Sequence, residues 1–383
     1  MHICINHVVD PSLGKYIIHN NIQKKCFLCK KKAVGFDAES SDVHNLLKAI
    51  IRYNYDEVLY NSHLGGDHFT SLLLADDFIF SSNIQSNSGK YGEFEGILWD
   101  MNVYEDDGIS IHAGYNEYCY NMPLIAIRNK SHSLIDTLHD ELSVKNHYLF
   151  EKEIRNILAS YGDYFTSIIE NDFTTYRARV GVKGFRLAYE DWNSHGKKIY
   201  QAYAGDSISS VPPLKATGGR ANRPGVSYLY CATDQYTAVS EVRPHPTDVV
   251  SLGQFKTVRQ LKLFDFSHPN FLPFYQNEDA LKKMIPYAKM ASIYNRASPP
   301  SLEGRYSISQ LISDCIRQEG YDGIKFLSTV GDGKNLVIFN PADLLYVEGS
   351  SEVLEIERVS YTYNKKQVVG IDDEYEMYYD DLN

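Results

Sequence analysis

The sequence predicts an α+β protein in which a mainly helical half precedes a half built from short strands. Three observations lead to this prediction. The chain has 383 residues, more than a single hydrophobic core normally serves, so two domains are expected. In the first half, apolar residues recur at three- and four-residue spacing, the period of an amphipathic helix. In the second half, short alternating stretches lie between glycine- and proline-marked turns, the pattern of strands.

The composition restricts the class of protein. Hydrophobic residues make up 43% of the chain and charged residues 23%, which is ordinary for a globular protein. The formal net charge of −11 disfavours non-specific binding to nucleic acid or to acidic membranes. No apolar run approaches the roughly 20 residues that span a bilayer, and no secretory leader opens the chain. We therefore expect a cytoplasmic protein that contacts neither membrane nor nucleic acid, and the sequence leaves open whether it forms an oligomer.

Two pairs of potential metal ligands near the N-terminus, a C-x-x-H and a C-x-x-C, have the spacing of a zinc knuckle. Each pair can occupy a tight turn, and the four side chains can complete a tetrahedron around zinc. The surrounding lysines would help to keep the thiolates deprotonated. We predict a closed structural zinc site within residues 1–35, in which His2 could replace His7 as the histidine ligand. The alternative is that the two pairs are reduced and unrelated, and bind no common metal. The predicted ligands are Cys4, His7, Cys26 and Cys29.

Helical periodicity dominates residues 36–170. It is clearest in VHNLLKAIIRYNYDEVLY, residues 43–60, and in EKEIRNILASYGDYFTSIIE, residues 151–170. Arg128 and His132 have the residue types of a ribonuclease pair, but their spacing is shorter than that motif usually has. We interpret them as part of a solvated helix face. Residues 36–170 are therefore expected to form a mainly helical accessory domain.

Strand patterns begin near residue 171. In TTYRARVG, residues 174–181, alternation places Arg177 and Arg179 on one face of a strand. Further on, Gly320 is a plausible end for a helix, because glycine adopts the left-handed conformation that helix C-termini often need. The remaining predicted elements are two strands within residues 249–267, that helix within residues 302–319, and two strands joined by a glycine-rich turn within residues 321–341.

The stretch from 216 to 242, ATGGRANRPGVSYLYCATDQYTAVSEV, combines several groups suited to a ligand. A paired glycine lets a ligand approach the backbone, and Arg220 follows it with a rigid fork of donors for phosphate or carboxylate. A short strand then carries Tyr228 and Tyr230 on one face. A capped helix follows and brings Glu241 into its last turn. This strand–helix unit is a candidate ligand site.

The segment from about Tyr176 to Pro341 resembles a RES domain. The resemblance rests on YRAR, on GGRAN followed by PG and a short strand, on YLYCATDQYTAVSEV, and on YDGIKFLS with NLVIFNP, in that order. It implies a fold similar to ADP-ribosyltransferases over residues 171–350 and cleavage of the nicotinamide–ribose bond of NAD⁺, by hydrolysis or phosphorolysis. The preceding part resembles the N-terminal region of HEPN/RES proteins. Such proteins are commonly toxins of toxin–antitoxin or defence systems, so NAD⁺ and an inhibitory antitoxin or immunity protein are the implied partners.

The resemblance also assigns roles to individual residues. A carboxylate would stabilise the oxocarbenium-like ribose, the arginines would bind the pyrophosphate, and the tyrosine would stack on nicotinamide. The serine would donate to the ribose, to a phosphate oxygen or to the attacking acceptor. Ala221 occupies a position where the family commonly has tryptophan. The assigned residues are Arg177 or Arg179, Arg220, Tyr230, Glu241 and Ser328, with Tyr228, Asn222 and Asn335 as further candidates for polar contacts or for ordinary strand and turn positions.

Two other functions and one regulatory role remain open at this stage. The same chemistry would serve an ADP-ribosyltransferase that modifies a protein or nucleic acid. If the site is degenerate and inactive, the protein would instead be a zinc-containing interaction protein. Residues 351–383 end in IDDEYEMYYDDLN, which predicts a solvated acidic tail. Alternatively, this tail acts in cis by mimicking phosphate in the arginine-lined cleft.

Overall fold

The computed structural model describes residues 1–74, 78–81, 88–99, 108–113, 122–188, 196–296, 306–360, 362, 363 and 365. Its mixture of helices with a large sheet confirms the α+β class. The helices are α1 (Pro11–Asn20), α2 (Ser41–Asn54), α3 (Phe69–Leu74), α4 (Ser88–Trp99), α5 (Ser133–Val144), α6 (Tyr148–Tyr161), α7 (Gln235–Glu241), α8 (Glu278–Lys282), α9 (Ile285–Asn295) and α10 (Tyr306–Gln318).

The strands of the described chain fall into three sheets. A small sheet near the N-terminus has the order β1–β3–β2, and β6 pairs with β7 in a separate two-stranded ribbon. The strands are β1 (His2–Cys4), β2 (Ile22–Lys25), β3 (Lys32–Asp37), β4 (Thr166–Ile169), β5 (Thr174–Val180), β6 (Gly184–Ala188), β7 (Lys197–Gln201), β8 (Leu229–Ala232), β9 (Val249–Thr257), β10 (Leu261–Asp265), β11 (Gly323–Leu327), β12 (Lys334–Ile338), β13 (Leu344–Tyr346) and β14 (Glu352–Glu355).

The third sheet has nine strands. Its order is β13–β9–β5–β8–β12–β11–β10–β4, and β14 also pairs with β9. β10 and β11 run parallel, whereas the other described pairs in this sheet are antiparallel. The middle of the sheet is thus formed by β5, β8 and the adjoining strands β12 and β11, three parts of the chain that are widely separated in sequence. Side chains from these four strands can therefore meet on one face.

A single hydrophobic cluster joins the helices of the first half to this sheet. It contains Leu46 of α2 and Phe264 of β10, both fully buried. Tyr161, at the end of α6, donates to the carbonyl of Lys283 at 3.1 Å and accepts from the amide of Tyr287 at 3.0 Å. Burial of each large apolar side chain contributes about 1.5–3 kcal/mol, so this shared cluster is a major source of stability. The two halves of the chain are packed against each other.

The predicted helix over residues 151–170 is wrong at its C-terminal end. α6 ends at Tyr161, and Gly162 follows with φ of 53°, a conformation that glycine adopts readily. Thr166–Ile169 is instead strand β4, which pairs antiparallel with β10. The β-branched residues in TSII suit a pleated sheet edge better than a helix. The large sheet therefore begins before residue 171.

The expected solvated tail begins later than residue 351. Glu352–Glu355 forms β14, which pairs with β9 through residues 249–252. The acidic residues from 366 onward lie outside the described part of the chain. Any truncation that removes the acidic segment should therefore start beyond β14.

The other predicted elements of the second half agree with the structure. β5, β9, β10, β11 and β12 occur where the alternation predicts them, and Gly320 follows α10 with φ of 83°. No helix within the described residues is long and apolar enough to cross a membrane.

Candidate active site

A cavity of about 450 Å³ lies beside the central strands and α7. Its volume is within the range of ordinary ligand pockets, about 300–1,000 Å³. Among the described residues, its charged lining consists of Arg177, Arg220, Arg243 and Glu241. The excess of guanidinium groups favours an anionic ligand.

The loop that presents Arg220 is fixed from behind by two polar side chains. Asn222 is buried and donates to the carbonyl of Thr217 at 2.9 Å. The Tyr230 hydroxyl donates to Asn222 Oδ1 at 2.7 Å and accepts from the amide of Ala221 at 3.1 Å. A Cβ at Gly219 would lie only 2.6 Å from Asn222 Oδ1, so this close approach requires glycine. The paired glycine therefore serves loop packing.

The guanidinium groups of two arginines are held in place by backbone carbonyls. Arg220 Nη1 donates to the carbonyl of Tyr294 at 2.6 Å. Arg177 donates from Nε to the carbonyl of Ile208 at 2.8 Å and from Nη1 to that of Tyr230 at 2.6 Å. Burial lowers the pKa of Arg177, although a guanidinium remains charged in proteins. Both cations are thus oriented before any ligand binds.

Glu241 is the last residue of α7 and is held through one of its oxygens. Asp234 caps the start of this helix by accepting from the amide of Thr237 at 2.8 Å. Glu241 Oε1 accepts from Ser328 Oγ at 2.6 Å and from Asn335 Nδ2 at 2.7 Å. Within the described residues, Oε2 accepts no hydrogen bond. The carboxylate is therefore oriented by two neutral donors while one oxygen stays available.

The turn between β11 and β12 holds Ser328 beside Glu241. Ser328 Oγ accepts from the amides of Val330 at 3.2 Å and Gly331 at 3.0 Å. The amide of Gly333 donates to Thr237 Oγ1, inside α7, at 2.9 Å. The turn and the helix are thus bonded directly, which keeps the serine and the carboxylate in a fixed relation.

The predicted zinc ligands lie together at the N-terminal sheet. Their candidate ligand atoms are all within 4.8 Å of one another, and Cys4 Sγ lies 3.7 Å from Cys29 Sγ. Two thiolates at about 2.3 Å from a tetrahedral zinc would be roughly 3.8 Å apart. His7 Nε2 is buried and has no hydrogen-bond partner in the described chain, whereas His2 Nε2 lies 3.3 Å from a backbone carbonyl. The donor set fits zinc. The four residues are Cys4, His7, Cys26 and Cys29.

Comparison with known proteins identifies the second half of the chain. Residues 192–357 of this chain match the RES domain family. The match confirms the resemblance seen in the sequence and includes Arg220, Glu241 and Ser328, whereas Arg177 on β5 precedes it.

The chain is similar to a solved structure. The structure is the crystal structure of the M. tuberculosis MbcT–MbcA toxin–antitoxin complex, with 15% sequence identity and a TM-score of 0.31. The alignment covers 53% of this chain and 92% of that chain. A search of curated proteins finds no match.

Most of the residues singled out from the RES motifs meet at the cavity. Arg177, Arg220, Tyr230 and Glu241 line it. Ser328 reaches it through its hydrogen bond to Glu241. Residues from β5, β8 and α7 and from two loops therefore converge at one place.

Three other candidates do not line this cavity. The guanidinium of Arg179 lies 4.3 Å from the ring centroid of Tyr203, and Arg179 Nη1 donates to a backbone carbonyl. Tyr228 precedes β8 and packs against Phe339, with ring centroids 4.8 Å apart. Asn222 lies behind the Arg220 loop. Of the two arginines on β5, the one at the cavity is Arg177.

Other lining residues make contacts that the sequence analysis did not predict. Phe326 lies in β11 two residues before Ser328, so strand alternation from the serine could have indicated it. Asn335 was noted as a polar candidate, but its partner, Glu241, is far away in sequence. Arg243 has φ of 47° and is followed directly by a proline, which could have indicated a turn here.

We expect Tyr230→Phe to destabilise the RES domain. The substitution leaves the Ala221 amide and Asn222 Oδ1 without their partner, which costs about 1–3 kcal/mol. Burial raises the pKa of Tyr230 to about 12, so the hydroxyl stays protonated at neutral pH and both bonds persist there. Urea unfolding measures the loss. Tyr236→Phe, at an exposed position of α7, is the control and should leave the midpoint unchanged. Equal midpoints for both variants would refute this role.

Proposed function

We propose that this protein degrades NAD⁺ by breaking the bond between nicotinamide and ribose. We further propose that it acts as a toxin held in check by an antitoxin or immunity protein. The observation that carries the enzymatic proposal is that Arg177, Arg220 and Glu241 line one cavity of about 450 Å³. The RES domain supports the same chemistry through the properties of the family that its motifs resemble.

The arginines suit the pyrophosphate of NAD⁺. This group carries two negative charges, and guanidinium forks bind phosphate oxygens with paired hydrogen bonds. One or two N–H groups of Arg220 and Arg177 are used by backbone carbonyls, which leaves others for a ligand. Because these backbone bonds orient the side chains, little conformational entropy is lost when the ligand binds.

Glu241 suits the reacting end of the substrate. When the C–N bond breaks, its electron pair moves to the ring nitrogen of nicotinamide, and positive charge develops on the ribose. A carboxylate beside the ribose stabilises this charge more in the transition state than in the ground state. Ser328 and Asn335 bind the other oxygen of Glu241, so we assign both as positioning residues. The ring of Tyr230 is the proposed wall for nicotinamide.

An acceptor then completes the reaction at the ribose carbon. Water adds its oxygen and releases a proton, which gives ADP-ribose, whereas inorganic phosphate adds an oxygen and gives ADP-ribose 1-phosphate. Both routes release nicotinamide, so product identification distinguishes them. A macromolecular acceptor would instead become covalently ADP-ribosylated.

Incubation of the purified protein with NAD⁺, with and without phosphate, tests the proposal. We expect nicotinamide release in at least one condition, identified by chromatography and mass spectrometry. Phosphate-dependent release assigns a phosphorylase, and phosphate-independent release assigns a glycohydrolase. Transfer of label to protein or nucleic acid would replace the proposal by an ADP-ribosyltransferase. Unchanged NAD⁺ in every condition would contradict it and favour an interaction protein.

We also propose that Cys4, His7, Cys26 and Cys29 hold a structural zinc ion. The support is the close approach of the four ligand atoms and the unpartnered, buried His7 Nε2. Bound zinc would link β1 to the turn between β2 and β3, and it would take no part in the chemistry at the RES cavity, because four protein ligands leave no open position.

A further inference from the structure

The β6–β7 hairpin presents basic side chains that have no acidic partner among the described residues. All four of its lysine and arginine side chains are exposed, and none of them forms an ion pair within the described chain. Residues 181–188 and 196–203 contain no aspartate or glutamate. The connection, residues 189–195, contains Glu190 and Asp191 and lies outside the described residues. The hairpin cations are Lys183, Arg186, Lys197 and Lys198.

Apolar side chains lie between two of these cations, Lys183 and Lys198, and strand alternation puts the other two on the opposite face of the hairpin. Phe185 is 55% exposed and Leu187 is 47% exposed. The register pairs Phe185 with Tyr200 and Leu187 with Lys198, so these four side chains share one face. Lys198 Nζ lies 5.0 Å from the centroid of the Phe185 ring. A face of this kind matches an acidic polypeptide that also carries aromatic residues.

The chain that follows β14 leaves the large sheet at the same end at which the chain passes from β5 to the β6–β7 hairpin. Gly181, directly after β5, donates to the carbonyl of Val249 at 2.7 Å. Glu355, at the end of β14, pairs with the same Val249. β5 and β14 therefore flank β9 at this end, about 10 Å apart. The chain from 356 to 371 can extend by up to about 50 Å, so residues 371–383 can reach the hairpin.

We propose that the acidic C-terminal segment, residues 371–383, docks on the β6–β7 hairpin. This segment has no lysine or arginine, and its tyrosines complement the exposed Phe185 and Leu187. Tethering to β14 raises its effective concentration at the hairpin to about the millimolar range. The segment carries the acidic residues Asp372, Asp373, Glu374, Glu376, Asp380 and Asp381 and the tyrosines Tyr375, Tyr378 and Tyr379.

Two other basic surfaces fit this segment less well. The cleft is a cavity of about 450 Å³, the size of a small-molecule site, so the whole segment of residues 371–383 does not fit inside it. The lysines of the β2–β3 ribbon, such as Lys24 and Lys25, lie in the N-terminal sheet, none of whose strands pairs with β9, whereas β5 and β14, which lead to the hairpin and to the C-terminal segment, both pair with β9. Nucleic acid is disfavoured as an occupant of the hairpin by the net charge of −11. The proposal concerns binding in cis and does not depend on the NAD⁺ chemistry.

Carbodiimide cross-linking of the full chain tests the contact directly. We expect amide links from the carboxylates of residues 371–383 to Lys183 and Lys198, identified by mass spectrometry and suppressed at high salt. A mixture of isotopically labelled and unlabelled chains separates links within one chain from links between two chains. Links mainly to Lys24 and Lys25, or links only between chains, would overturn the proposal.

Chymotrypsin cleavage of the acidic segment provides a second measurement on the full chain. Reversal of the four hairpin cations to glutamate should raise the cleavage rate at the C-terminal tyrosines about fivefold, as expected when several surface ion pairs are lost. The matched control reverses Lys24, Lys25, Lys31 and Lys32, which are exposed on the β2–β3 ribbon and its turn. Equal rates in both variants would refute docking, and so would a faster rate in the control alone. Hairpin-dependent binding of a labelled oligonucleotide that displaces the segment would assign the hairpin to nucleic acid.

Discussion

Glu241→Gln should reduce nicotinamide release from NAD⁺ by about 10³-fold while the protein stays folded. Glutamine has nearly the same size, and its side-chain oxygen can still accept from Ser328 and Asn335. The substitution therefore removes the negative charge and little else. Because that charge acts on the developing ribose cation, we expect the loss in kcat rather than in KM. Steady-state kinetics with NAD⁺ measures both constants.

Glu170→Gln is the matched control for this variant. Glu170 is also exposed and also accepts from a side-chain amide, that of Gln260 at 3.1 Å, but it lies outside the cavity. We expect it to retain full activity. A Glu241→Gln protein with more than about a tenth of normal kcat would contradict the assigned role of the carboxylate. Ser328→Ala and Asn335→Ala should give intermediate losses, since each removes one of two donors that orient Glu241.

Cys29→Ser should abolish zinc binding and destabilise the chain by several kcal/mol. A structural zinc site contributes its binding free energy directly to folding, about 10–16 kcal/mol for a complete site in small zinc domains. A serine hydroxyl is a poor replacement for a thiolate, and Cys4, 3.7 Å away, would lose its neighbour in the ligand set. Elemental analysis should give one zinc per chain in the normal protein and none in the variant, and thermal unfolding reports the loss of stability.

The control for this substitution is Cys315→Ser, at a buried cysteine of α10 outside the ligand group. It can lower stability through packing, but it should leave the zinc content unchanged. A normal protein that contains no zinc after expression with sufficient metal would refute the metal site. Unchanged zinc content in Cys29→Ser would exclude this cysteine from the ligand set.

The parts of the site that the sequence revealed are those specified locally. Gly219 and Arg220 belong to one loop, and Glu241 ends a short capped helix, so neighbouring residues encode each of these features. The strands around Arg177 and Ser328 were equally clear, because alternation and glycine turns mark them. Local patterns of this kind survive in the folded chain since no tertiary contact opposes them.

The parts that the sequence could not reveal depend on contacts between distant segments. Asn335 orients Glu241 only because β12 lies next to β8, the strand that leads into the helix of Glu241. The order of strands in a sheet cannot be inferred from the sequence of any single strand. The strand Thr166–Ile169 was misread because its apolar residues continue the helical period of α6 beyond the turn at Gly162. Its pairing with β10 outweighs that local pattern.

The apolar cluster that spans both halves of the chain limits how the RES domain can be isolated. Phe264 packs on the sheet side of that cluster and Leu46 on the helical side, and Tyr161 ties α6 to residues 283 and 287. A fragment that began at residue 171 would expose a large apolar surface and would lack β4, the edge strand of the sheet. The N-terminal half therefore covers an apolar face of the RES domain, and its removal would favour aggregation over folding.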